Sequence, residues 1–349
     1  MKALIATALA ISQFCLHLPV FAGSAVTENS PLTTVKDEIK TDKEALARQT
    51  QAYLAVRDYA ALDKLADTLR NSKAQYPNGW WRIDAFYPRV TSDENNISDA
   101  ELLSLLDQVR AWIKSRPNSV TARVYFASLA VRYAWNSRGV GWASSVSDEG
   151  WAAMSQREAA AARTLKDTRA LKQTCPHWWY VALYIRKDQS ASGSEMQRLL
   201  NEALTLHPGY NGARFAYEIS RDPRWGGEPG ELEQTASNWA DKVGGVEGDK
   251  LYAQCLWEMD RLPWYREQNV INELHFKWDR AKKGFTALKA QYPKSLAVQS
   301  EFCRLSCLAN DFQGARALFT SLKGRVDDPV WKGNENFVYW RDRAFASKI

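Results

Sequence analysis

The chain has 349 residues, 45% of them hydrophobic and 25% charged, which excludes a disordered tail or a fibrous repeat and allows a large core. Its formal net charge of +6 is uneven, because residues 261–349 hold 16 Lys or Arg against 9 Asp or Glu. That excess is small and comes with no recognition motif, so nucleic acid is not an expected partner.

In chain order, the first 22 residues form a separate unit. Lys2 is a short basic start, Ala3 to Leu18 is mainly apolar, and Val20-Phe21-Ala22 is a small-residue end before Gly23. This is the pattern of a secretory leader cleaved after Ala22, with Ala25 as the alternative, and it implies export, to a bacterial periplasm. A membrane anchor needs a longer uninterrupted apolar run, and no later stretch supplies one. Residues 23–40 are polar and aperiodic, so a flexible lead-in is expected, followed by a single α-helical domain over 41–349.

Three segments have the form of a capping box, at Thr41 to Glu44, Ser98 to Glu101 and Ser194 to Gln197. After Ser98, apolar residues fall at Leu102, Leu105, Leu106, Val109, Trp112 and Ile113, the spacing of one helix face. Leu274, Trp278, Ala281, Phe285 and Leu288 make a second clean stripe. Helical patterns stop at proline turns four times, at Pro77, Pro117, Pro208 and Pro293, because proline lacks the N–H and clashes inside a helix. Strand signals are sparse, with no sustained alternation and no Asn-Gly hairpin. The expected fold is therefore all-α: roughly 12–14 helices in an irregular helical-repeat solenoid, an α-α superhelix.

Two segments interrupt the pattern. Trp135 to Ser144 contains Arg138-Gly139-Val140-Gly141-Trp142 and leads to Gly150-Trp151, and a second turn reads Pro223-Arg224-Trp225-Gly226-Gly227-Glu228-Pro229-Gly230-Glu231. In these residues the chain resembles a family of uncharacterised, tetratricopeptide-like bacterial domains, over about residues 45 to 310. Asn310 to Phe319 and Arg57 to Leu62 likewise resemble tetratricopeptide units. The resemblance implies a helical-repeat fold and no established activity.

Arg138, Trp142, Trp151, Arg224, Trp225 and Glu228 are the candidate binding residues. Arginine offers a planar fork to carboxylates and phosphates, and tryptophan a face for stacking. The competing structural reading places the tryptophans between helices and the glycines at the corners. After the leader, Cys175, Cys255, Cys303 and Cys307 remain. Buried free thiols are the leading reading, with a Cys175–Cys255 disulfide as the alternative. A zinc site using Cys303, Cys307 and Cys175 or His177 lacks a CxxC pair. Cys175 and His177 could resemble a nucleophile and base, but nothing identifiable orients the imidazole. No cofactor is implied, and no residue is assigned a catalytic role. The functional expectation is a non-catalytic envelope scaffold for a protein or peptide. The rival is a glycan-binding or glycan-cleaving envelope protein using Glu149 or Glu228, or an inhibitor of a periplasmic toxin.

Overall fold

The computed structural model describes residues 31–90, 97–139, 143–170, 175–265 and 268–347. The expected leader, residues 1–22, lies outside them. The described chain is all-α, a helical-repeat superhelix of 16 helices with one two-stranded sheet. Its helices are α1 Glu38–Ala55, α2 Tyr59–Ser72, α3 Asp99–Ser115, α4 Val120–Arg138, α5 Asp148–Asp167, α6 Pro176–Asp188, α7 Gly193–Leu206 and α8 Asn211–Ile219. There follow α9 Glu231–Val243, α10 Gly245–Asp260, α11 Val270–Glu273, α12 Trp278–Gln291, α13 Leu296–Leu308, α14 Phe312–Leu322, α15 Asp328–Trp331 and α16 Asn334–Ala346. Two of these, α11 and α15, are single turns of four residues.

Three of the four proline turns join paired helices in one geometry. In Arg116 to Ser119, His207 to Tyr210 and Tyr292 to Ser295, the fourth residue's N–H donates to the first residue's carbonyl at 3.0, 2.9 and 3.0 Å. Proline sits second, where its fixed φ suits a β-turn. Pro77 makes the same turn, with Gly79 N–H on Tyr76 O at 2.9 Å, but only a short 3-10 helix, Arg82–Ala85, follows it before α3. It lies in the long connection between α2 and α3.

The helices divide into inner and outer sets. Inner α4 buries 13 of its 19 residues, whereas outer α7 buries only Met196, Leu200 and Ala203 of 14. α6, α8, α10 and α13 bury most of their length as α4 does. The outer helices are the ones that read as clean stripes.

The lead-in to residue 40 departs from expectation over its described part. Thr33–Val35 (β1) pairs in parallel with Arg325–Asp327 (β2), Thr33 opposite Arg325. α1 starts at Glu38, earlier than a Thr41 capping box predicts, because Asp37 takes the N-cap and accepts from Lys40 N at 2.6 Å. Glu38 then receives the Ser295 hydroxyl and the Leu296 N–H at the start of α13. The partners that order this segment lie some 260 positions away, so local sequence does not show them. These contacts bring the two ends of the superhelix together. The Ser98 capping box forms as predicted, while α7 is capped by Ser192 rather than Ser194.

Residues 74–90 occupy the interior enclosed by the superhelix. Tyr76, Trp81, Ile83, Phe86, Tyr87 and Val90 are all buried. Gln254 of α10 donates to Pro77 O at 2.9 Å, Trp80 Nε1 donates to Glu258 at 2.8 Å, and Trp81 Nε1 to Gly209 O at 2.8 Å. The segment is a plug set between α1 and the inner helices.

Candidate functional site

The two interrupting loops meet. Arg138, the last residue of α4, places its guanidinium carbon 5.1 Å from the Trp135 ring, 5.5 Å from Trp151 and 5.3 Å from Trp225. Trp135 and Trp225 contact edge to face at 5.5 Å. Lys187 of α6 lies 3.6 Å over the Trp225 ring and pairs with Asp188, which also accepts from Trp135 Nε1 at 2.9 Å. Three helices and one loop thus build a cage of tryptophans around two cations, an arrangement favoured by the ring quadrupole.

The second loop is shaped by Asp222. Its carboxylate accepts from Arg224 N at 2.8 Å, from Tyr265 OH at 3.0 Å and from Trp264 Nε1 at 3.3 Å, while Gly227 N–H closes onto its carbonyl at 3.1 Å. Gly227 must be glycine: a Cβ there would stand 1.9 Å from Arg221 O. Gly226 takes a left-handed backbone at φ +92°, so both glycines serve the turn that delivers Trp225.

The structure brings Arg138, Trp151 and Trp225 together. Arg224 stands beside them, over Trp264 and Tyr265 at 5.9 and 5.8 Å. Glu228 is on the rim, exposed; its backbone N–H donates to the Glu231 carboxylate and its carbonyl accepts from the Glu231 N–H, both at 3.0 Å. Trp142 lies outside the described residues. Trp225 is half-buried, whereas Trp151 is 37% exposed and presents the cage to solvent. Behind the cage sits Glu158 of α5, hydrogen-bonded to Asp188; burial, then the Asp188 charge, pushes its carboxyl up to about 9. No sequence pattern marked Glu158, Asp188 or Lys187. The only available signal was an acid on the otherwise small and apolar stripe of Met154, Ala161 and Leu165.

The four cysteines are free and buried. Cys175 and Cys255 are not bridged, and burial pushes the Cys255 and Cys303 thiols well above their ordinary range. The imidazole of His177 does have an orienting group. Asp84, 93 positions upstream, meets Nδ1 at 2.7 Å and also accepts from the Tyr210 hydroxyl. The ring stacks on Tyr87 at 4.4 Å, and the Cys175 thiol meets the Tyr87 hydroxyl at 3.3 Å. Both rings are buried, so the network pins the plug to α6 and α8. Among the described residues no group of three His, Cys, Asp or Glu could hold a metal ion, and no helix is long and apolar enough to cross a membrane.

Comparison with known families assigns part of the chain. Residues 47–190 match the model of a family described as a domain of unknown function, DUF4034. The DUF4034 stretch holds the plug, Arg138, Trp151 and His177, and stops short of the Pro223 to Glu231 turn. It is narrower than the resemblance read from the sequence, which ran to about residue 310. Neither the curated proteins nor the solved structures compared with this chain include one that matches it.

Proposed function

We propose that this is a non-catalytic binding protein of the cell envelope, exported by its leader, whose partner is a protein or peptide seated on the cage of Arg138, Trp151 and Trp225. The observation that carries the reading is the convergence itself: two loops from distant parts of the chain put an arginine among three tryptophans, with one tryptophan open to solvent. Tryptophan and arginine dominate the energetics of protein interfaces. The plug moves the expected contact from the concave interior to this loop edge. The glycan-cleaving alternative requires a desolvated carboxylate at Glu149 or Glu228. Both stand exposed at helix starts or turns, and Glu149 is held below its ordinary range by hydrogen bonds to the helix start.

A photo-crosslinking amino acid at Glu228, on the exposed rim, tests this in intact cells. A discrete protein adduct that disappears in Trp151→Ala, with the melting temperature kept, is the expected result. An adduct unaffected by that change, or none, rules out the cage as the contact. Release of soluble fragments from purified peptidoglycan would replace the binding reading with the catalytic one. Sequencing of the mature N-terminus should begin after Ala22.

A further inference from the structure

A second surface gathers aromatic and basic side chains at the C-terminal end of the superhelix. There α16 lies on α14, tied by Arg316, whose Nε donates to Ala344 O at 2.7 Å. Of the 13 residues of α16 only Phe337 and Ala344 are fully buried. Arg343 is set among rings: its guanidinium carbon stands 5.7 Å from Phe312, the first residue of α14, and 5.6 Å from Trp340. Its Nη1 donates to the Tyr339 hydroxyl at 3.0 Å, and Tyr339 meets Trp340 edge to face at 5.2 Å. Tyr339 is 53% exposed, Arg343 is exposed and Trp340 is half-buried. An ordered aromatic and arginine cluster is thus held open to water, with large rings left uncovered.

The charge around this cluster has one sign. Lys282 joins α12 to α14 by pairing with Asp311, the N-cap of α14, at 2.7 Å. Beyond that pair, Lys283 of α12, Lys294 in the turn after it, Lys323 at the end of α14 and Arg343 of α16 are exposed, and among the described residues none is held in an ion pair. The exposed acids of the same three helices are Asp279, Glu335 and Asp342, the last already paired with Arg341 at 2.9 Å. The whole C-terminal stretch agrees: residues 261–349 hold 16 Lys or Arg against 9 Asp or Glu, and the rest of the chain 30 against 31. Two of those nine acids, Glu301 and Asp327, are buried.

We propose that this end of the superhelix docks on an anionic lipid surface, with Tyr339 and Trp340 entering the headgroup layer and Arg343, Lys283, Lys294 and Lys323 facing the lipid phosphates. Tyrosine and tryptophan settle at that depth because each ring system is apolar at one end and polar at the other. Each cation near an anionic membrane adds about fivefold in affinity. A small apolar anchor or a basic patch holds a protein at a membrane only weakly by itself, and this end carries both. The cations are spread over three helices instead of converging on one pocket, which matches a plane of charge better than a single acidic ligand. Two copies of this end would repel one another, which disfavours a dimer through α16.

Co-sedimentation of the mature chain with lipid vesicles is the test. The chain should bind vesicles containing phosphatidylglycerol at least about tenfold more tightly than vesicles of phosphatidylcholine alone, and about 0.5 M salt should release it. Arg343→Ala should weaken binding about fivefold, and Lys283→Glu combined with Lys323→Glu at least about tenfold. Tyr339→Ala removes the apolar anchor and keeps the charge, so it should weaken binding while the salt dependence remains. All four side chains are exposed, so the melting temperature should hold. Polyglutamate stands in for an acidic protein. Absence of binding to the anionic vesicles, equal binding to both kinds of vesicle, or full affinity in the double lysine variant overturns the proposal, as does binding to polyglutamate without binding to vesicles. Should Arg343→Ala loosen α16, the double lysine variant decides, because its changes lie on α12 and at the end of α14.

Discussion

Asp84 ties together chain segments 93 and 126 positions apart, through His177 Nδ1 and the Tyr210 hydroxyl. With its side chain nearly closed to solvent, losing it leaves two buried polar groups without their partner. Asp84→Ala should cost about 2–3 kcal/mol, read as a lower urea midpoint, and should raise protease cleavage within residues 74–90. If stability falls but cleavage stays elsewhere, the plug is held by its aromatic packing instead. Contacts of this kind were illegible in sequence, because the imidazole and its acid share no local pattern. Arg138, Trp151 and Trp225 were legible as candidates because glycines and prolines isolate their loops. That the loops would meet each other was not, and neither was the Lys187, Asp188 and Glu158 support behind them.

At the scale of elements, local signals succeeded wherever the determinant was local. The Ser98 capping box forms, and three proline turns repeat one hydrogen bond. Outer helices show their stripes because only one face is covered, while α4 and α10, covered nearly all round, show no comparable stripe. β1, the early start of α1 and the burial of the plug all depend on distant partners. The α10–α12 crossing is also non-local, and it hinges on Gly284. A Cβ there would lie 2.1 Å from Asp249 O and 2.7 Å from the Ala253 methyl. Neither can yield without separating the helices, so Gly284→Ala should destabilise by about 1–3 kcal/mol, although alanine is the better helix former. Thermal unfolding checks this. A variant as stable as the native chain would mean that the two helices are free to slide apart.

For the whole molecule, the interior carries acids without full ion pairing, and this sets a pH dependence. Burial, then Asp188, pushes Glu158 up to about 9; burial, then Asp37, pushes Asp327 up to about 8. Burial raises Glu218 and Glu301 as well. From about 4.5, the ordinary value of a glutamate, the unfolded chain gives up these protons while the folded chain keeps them. Each such carboxyl therefore contributes stability that is complete in acid and is lost as pH rises through its folded value. The slope is at most about 1.4 kcal/mol per pH unit per group. Lys43, lowered by burial and then by the charges of Arg261 and Arg89, acts in the opposite sense. Its unfolded ammonium stays charged to 10.5 and its folded one only to about 7, so between those values rising pH favours the folded state. The acid effect is thus clearest between about pH 5 and 7, before Lys43 offsets it. The urea midpoint should fall across that window, and Glu158→Gln, which keeps the shape and cannot ionise, should make the fall shallower by one group's share. Parallel slopes for the native chain and Glu158→Gln would show that Glu158 ionises normally inside the fold.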